Sequence, residues 1–218
     1  MRYFETMLVV GVTGGLACGK TEVCRVFQKK GATIVSGDQI GREVVEKNKK
    51  ILKELVKVFG QEILNKNRTL NRRKLGEIAF ASNKSCRMLN QIIHPFLLKK
   101  LVRQIGILRR NDTKGVVVVD AALIVEWGLD KKLDLLIVVD SKTRDQMRRF
   151  CSATGHSLIT ARNIIRCQLP KSTKKKRADL VISNSGNLKQ LREKARKVWE
   201  KMVRESISEE NRLTRDSN

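Results

Sequence analysis

The sequence predicts an α/β fold in which a buried parallel sheet is flanked by helices. Three observations carry that prediction. The runs Met7-Leu8-Val9-Val10-Gly11-Val12, Val116-Val117-Val118-Val119 and Leu135-Leu136-Ile137-Val138-Val139 are continuously apolar and largely β-branched, like strands covered on both faces. The second and third end in Asp120 and Asp140, placing carboxylates at the carboxyl edge of the sheet, where such folds bind ligands. The first leads into Gly14-Gly15-Leu16-Ala17-Cys18-Gly19-Lys20-Thr21, a glycine, four residues and then Gly-Lys-Thr.

That loop has the context its chemistry requires. Val23, Val26 and Phe27 recur behind it at helical spacing, so strand, loop and helix follow in order. Backbone N–H groups and the helix N-terminus then converge on one phosphate chain. Lys20 is predicted to bridge the outer phosphates, and Thr21 to offer its hydroxyl to magnesium. The chain is predicted to bind a nucleoside triphosphate.

The remaining elements follow in turn. A second strand is expected at Ala32-Thr33-Ile34-Val35, closing on Ser36-Gly37-Asp38. A long helical stretch comes next. Ile40, Val44 and Val45 share one face, as do Ile51, Leu52, Leu55, Val56 and Phe59 before Gly60 stops the helix. Leu75, Ile78 and Ala79 form a short face; Leu89, Ile92 and Ile93 form another that is expected to end near His94-Pro95. Leu97, Leu98, Leu101, Val102 and Ile105 continue beyond the proline. Some seventy residues without a strand read as an insertion packed beside a nucleotide-binding core. After the later strands come a helix from about Thr143, a polar, basic segment from Phe150 to Arg177, and a fifth strand at Asp179-Leu180-Val181-Ile182. The last helix is expected to bury Leu188, Leu191, Ala195, Val198 and Met202, with a frayed polar end after Ser206.

Composition narrows the setting. Five cysteines in 218 residues form no C-x-x-C pair and are odd in number, which predicts reduced thiols and a cytoplasmic protein. Residues 1–6 lack the apolar stretch of a signal peptide, and no apolar run is long enough to cross a membrane. The net charge is +24, from 46 basic and 22 acidic residues, and attracts nucleotides, coenzymes and RNA alike. With aromatics at 4% there is no stacking platform for single strands. Solvated helix faces and attraction of an anionic substrate are favoured over a dedicated nucleic-acid site, which the charge nevertheless leaves open. No pattern specifies an oligomeric state.

Asp38 is the second anchor, just past the second strand on the edge that carries the loop. A carboxylate there either deprotonates an attacking hydroxyl and helps hold magnesium, or caps the helix that follows. At this point the sequence resembles a family. Val35-Ser36-Gly37-Asp38-Gln39-Ile40-Gly41-Arg42-Glu43-Val44-Val45, Leu70-Asn71-Arg72-Arg73-Lys74-Leu75-Gly76 and Leu89-Asn90-Gln91-Ile92-Ile93-His94-Pro95 are similar to motifs of the dephospho-coenzyme A kinases. So are Asp120-Ala121-Ala122-Leu123-Ile124-Val125-Glu126 and, near the end, Gln168-Leu169-Pro170, Lys174, Ala178-Asp179, Val181-Ile182, Asn184 and Gly186. The marks run in order from about residue 8 to 192.

The resemblance implies a P-loop kinase core with a five-stranded parallel sheet, a helical domain for the acceptor, and a lid. It divides residues 1–206 into a core of 6–37, 115–149 and 178–206, an acceptor-binding insertion over 38–114 and a lid over 150–177, leaving 207–218 as a polar tail. It implies transfer of the γ-phosphoryl of ATP to the 3′-hydroxyl of the ribose in dephospho-coenzyme A, with magnesium. Gly14, Gly15, Ala17, Cys18, Gly19, Lys20, Thr21 and Glu22 then cradle ATP, and Arg149 matches the first arginine of the lid-entry pair. Asp38 and Lys20 are catalytic, and Thr21 and Asp38 hold the metal. Arg42, Arg72, His94 and Glu126 fall on the acceptor side; otherwise His94 only ends a helix and the arginines form surface ion pairs.

Several positions depart from the family pattern. Ala153 stands where the second lid arginine belongs, with Arg148, Arg162 and Arg166 nearby. Ser36 replaces a frequent aspartate, Ala122 a proline, and Cys18 a serine. Ala17 replaces a glycine, which is tolerable where that residue needs no positive φ. The run Lys171-Ser172-Thr173-Lys174-Lys175-Lys176-Arg177 resembles a nucleic-acid or localisation patch, but within a lid it is expected to face phosphate or solvent.

Overall fold

In the computed structural model, residues 7–111 and 115–215 are described, with side chains as far as Ser206. Residues 1–6, where no signal peptide was expected, residues 112–114 of the predicted insertion and the last three residues of the predicted tail lie outside them. The five predicted strands form one parallel sheet: β1 Met7–Gly14, β2 Thr33–Ser36, β3 Gly115–Asp120, β4 Leu135–Asp140 and β5 Leu180–Ser183, in the order β2-β3-β1-β4-β5. Register aligns their carboxyl ends. Val12 lies opposite Asp120, Ser36 opposite Asp120, Gly14 opposite Val139, and Asp140 opposite Ser183.

Alternation along each strand splits the core in two. Val10, Val12, Val116, Val118, Ile137 and Val139 face α1 (Lys20–Lys29) and α9 (Leu188–Arg215). Val9, Val117, Val119 and Leu136 face α2 (Gly37–Lys47), α3 (Lys49–Phe59) and α5 (Asn83–Arg110). The helical insertion is therefore not merely packed beside the sheet. It supplies most of the cover of one face, with Ile51, Leu55 and Leu101 fully buried there beside Ile124 and Leu129 of the segment between β3 and β4.

Helix ends follow local chemistry. The side chain of Asn48 caps α3, that of Asn71 caps α4 (Arg72–Ala79) and that of Ser82 caps α5, each accepting a backbone N–H of the first turn. Gly60 ends α3 at φ 85°, as its sequence position predicts. Two expectations are corrected. His94-Pro95 does not end a helix, because α5 runs through Pro95 to Arg110. An interior proline costs about 3 kcal/mol, but Leu97, Leu101 and Ile105 are buried beyond it, each contributing about 1.5–3 kcal/mol. The last helix likewise continues past Ser206 to Arg215, and it buries Trp199 against Phe27 while Leu188 stays half exposed.

The basic segment after β4 is helical: α6 Thr143–Thr154, α7 Leu158–Arg166 and α8 Lys171–Lys176. No helix among the described residues is long and apolar enough to cross a membrane. All five cysteines are free.

Candidate active site

The loop between β1 and α1 is held from below. Gly14 has φ 151°, and a Cβ there would strike the Val139 carbonyl oxygen and stand 2.7 Å from Cys18 Sγ. Gly19 has φ 102°, and a Cβ there would stand 2.6 Å from Asn184 Nδ2. Asn184 is buried and donates that amide to the Cys18 carbonyl at 2.9 Å, while Gln146, also buried, presses against Gly15. Ala17 takes φ 46°, so the condition under which alanine was tolerable is not met; its side chain sits in the left-handed region.

Lys20 opens α1 and rests its ammonium on the Gly15 and Gly14 carbonyls at 3.2 and 3.4 Å. Thr21 is exposed in the same turn. Glu22 points away towards α9, where Arg192 at 2.6 Å and Arg25 at 3.1 Å hold its carboxyl below the usual range, the Arg192 hydrogen bond being the larger cause. Arg149 lies on α6 with Nη1 3.1 Å from Ser141 Oγ at the end of β4.

Asp38 stands exposed in the first turn of α2. The cap alternative for it is removed: Ser36 is the N-cap and accepts the Gln39 N–H at 3.2 Å. Gly37 presses α2 onto the end of β3, where a Cβ would meet Ala121 Cβ at 2.8 Å, and this sets Asp38 beside Asp120. Burial raises the Asp120 carboxyl above its ordinary value; the Lys20 charge opposes that, and the Asp38 charge reinforces it. Two carboxylates and one ammonium thus converge at the loop. Sequence reasoning placed Asp120 at the ligand-binding edge of the sheet and in a family-like motif, but gave it no role of its own.

A cavity of about 390 Å³ opens from Asp38. Arg42, Arg72 and His94 line it together, over an apolar floor that includes Leu89 and Ile93. Arg72 is fixed by Glu46 at 2.8 Å and the Arg42 carbonyl at 3.1 Å. The His94 ring meets Trp127 edge-on at 5.4 Å. Burial lowers its pKa, against the opposing charge of Glu126, which favours the uncharged imidazole. Trp127, which the sequence reading passed over, buries its Nε1 without a hydrogen-bond partner among the described residues.

Glu126 is the predicted acceptor-side residue that does not line this cavity. It accepts from Lys174 Nζ at 2.8 Å and from the Leu169 N–H at 2.9 Å. Lys174 is 2% exposed and also donates to the Ala122 carbonyl at 2.7 Å. The lid's basic run is largely exposed to solvent, Lys174 being its buried member, and several of its cations are also paired. Lys171 and Lys175 pair with Asp140, Lys174 with Glu126, and Arg177 with Asp130, because α8 lies across core carboxylates.

A family model described as dephospho-CoA kinase matches residues 8–190. The chain is 37% identical over 192 residues to the dephospho-CoA kinase of Corynebacterium glutamicum, covering 88% of this chain and 96% of the relative. It belongs to the dephospho-CoA kinase family. Among solved structures, that of TT1252 from Thermus thermophilus is similar with a TM-score of 0.68 at 26% identity, over 88% of this chain and 96% of that one. The dephospho-CoA kinase from Campylobacter jejuni shares the fold, with a TM-score of 0.65 at 24% identity over 91% and 98% of the two chains. Membership makes the chain an ATP-dependent kinase acting on dephospho-CoA, in coenzyme A synthesis.

Proposed function

We propose that this cleft transfers the γ-phosphoryl of ATP to the ribose 3′-hydroxyl of dephospho-CoA with Asp38 as the base. The observation that carries the proposal is the place of Asp38, at the junction of the phosphate loop and the cavity rimmed by Arg42, Arg72 and His94. Phosphoryl transfer asks the protein chiefly for alignment and for cations around spreading negative charge. The Lys20 ammonium leaves the Gly14 and Gly15 carbonyls to meet the outer phosphates. Gly15 to Thr21 offer backbone N–H groups to the phosphate chain, and Arg149 approaches it from the lid. The Asp38 carboxylate accepts the hydroxyl proton as the oxygen attacks. Arg42 and Arg72 hold acceptor phosphates, and neutral His94 fixes the ribose by hydrogen bonding. Glu126 serves the acceptor side indirectly, by clasping Lys174 and the lid.

Magnesium fits the residues present. Among the described residues no group of three or more His, Cys, Asp or Glu forms a metal cage, but magnesium needs only one or two carboxylates beside substrate phosphates. Thr21, Asp38 and Asp120 would hold it, and the raised Asp120 carboxyl beside Asp38 is the like-charge pair that a divalent cation relieves. Bound there, magnesium supplies charge neutralisation at the phosphates.

The test is Asp38→Asn. Loss of a general base costs on the order of 10²–10⁴ in kcat, with ATP affinity within about 2-fold of the parent, since the loop is untouched. Parent-like kcat would remove Asp38 as the base.

A further inference from the structure

Two thiols border the acceptor cavity, and the transfer reaction uses neither. Cys86 is buried in the first turn of α5; Cys167 is half-buried at the C-cap of α7. Both line the cavity that contains Asp38 and His94. Cys167 is near enough to Cys86 to help hold its proton, and Cys167 Sγ lies 4.0 Å from Asn83 Oδ1 in the same turn of α5. Asn163 Nδ2 docks α7 on this end of α5 by donating to the Ala81 carbonyl at 3.2 Å. Along α5, Cys86 is about 12 Å from His94, at 1.5 Å per residue. The thiols therefore sit where α7 meets the start of α5, about two turns from His94.

We propose that Cys86 and Cys167 form a thiol–disulfide modification site, oxidised by low-molecular-weight disulfides, whose closure pins lid helix α7 to insertion helix α5 and shuts the acceptor cavity. Two cysteines that border one cavity, one of them against the helical turn that carries the other, need only local movement to reach an S–S bond of about 2.05 Å. The order of events follows from their surroundings. Burial, with a smaller contribution from Cys167, pushes the Cys86 thiol up to about 12, so Cys86 does not start the exchange.

The Cys167 thiolate attacks one sulfur of a small disulfide R–S–S–R, forming a mixed disulfide and releasing R–S⁻. The Cys86 thiol gives its proton to a released thiolate and attacks Cys167 Sγ, expelling the second R–S⁻. The protein loses two electrons and two protons, and the small disulfide becomes two R–SH. Capping Cys167 also removes its contribution to holding the Cys86 proton. Dephospho-CoA and coenzyme A are themselves thiols, so their oxidised forms belong to this oxidant class and suit this cavity. The last point and the kinetic consequence rest on the cavity being the acceptor site; the bond does not.

The test treats the full chain with excess glutathione disulfide, alkylates the remaining thiols and maps the peptides, then repeats this with oxidised coenzyme A. The expected product is one peptide pair joined through Cys86 and Cys167. With it comes a loss of about 10-fold or more in kcat/KM for dephospho-CoA, because lid motion gates turnover, while ATP affinity stays within about 2-fold. Dithiothreitol restores the rate, and Cys167→Ser keeps after treatment whatever rate it had before. The proposal is overturned if no linked pair forms with either oxidant, if the bond forms without changing acceptor kinetics, or if Cys167→Ser is inactivated equally. Should the untreated chain not phosphorylate dephospho-CoA at all, the peptide map still decides whether the bond exists, which separates this failure from that of the kinase reading.

Discussion

Asp38 is exposed in the first turn of α2, one residue beyond the glycine that presses this helix against β3. Its chemistry depends on that contact, because any larger residue at 37 would lift the carboxylate from Asp120. Ala17 shows the opposite situation, a side chain where the backbone prefers none. Left-handed φ costs a non-glycine residue about 1–2 kcal/mol, and for a chain of this size about 1 kcal/mol corresponds to roughly 2–4 °C in Tm. Ala17→Gly is therefore expected to raise Tm by about that amount in a thermal melt; an unchanged or lower Tm would mean the loop is unstrained at this residue. His94 gives a pH signature. Its folded pKa lies below the ordinary 6.5, so the unfolded chain binds the proton more readily, and stability present above pH 6.5 is lost as the pH falls through the folded value. Melts between pH 7.5 and 5 should show that loss shrinking in His94→Gln, and an equal acid sensitivity in the two proteins would contradict it. The loop, Lys20 and Asp38 were legible as residues because their chemistry demands fixed spacing behind a strand. Asp120 and Trp127 were not, since only the fold sets a strand-end carboxylate beside Asp38 and an indole against His94.

Among elements, α8 adds most to its sequence reading. A run of lysines and arginine reads as a surface for phosphate or solvent, and it is largely exposed, yet Lys171, Lys174, Lys175 and Arg177 also meet carboxylates from the end of β4 and the segment between β3 and β4. Periodicity could not reveal this, because those carboxylates approach from distant parts of the chain. The pair at its centre is nearly buried, and removing one partner leaves the other without compensation. Lys174→Met should cost about 3–5 kcal/mol of stability, read as a lower denaturant midpoint, whereas exposed Lys176→Met should cost little. Equal midpoints for the two would remove the clasp. The same lesson holds for α5. The helix was expected to end near His94-Pro95, but burial of Leu97, Leu101 and Ile105 beyond the proline outweighs one lost hydrogen bond.

For the molecule as a whole, five parallel strands were legible because strands buried on both faces are apolar throughout and end at ligand-binding residues. The insertion's part in the core was not, because helical spacing marks an apolar face without naming what it covers. The outcome is one sheet edge shared by two devices: a glycine loop underpinned by Asn184 and Gln146, and a helical wall carrying Arg42, Arg72 and His94. Asp38 stands where they meet. The most direct test is ADP release by the purified chain offered dephospho-CoA, shikimate and adenosine in parallel. The geometry predicts a kcat/KM for dephospho-CoA at least about 100-fold above the others, since only that acceptor engages both the cationic rim and the apolar floor. Comparable rates for all three would contradict it.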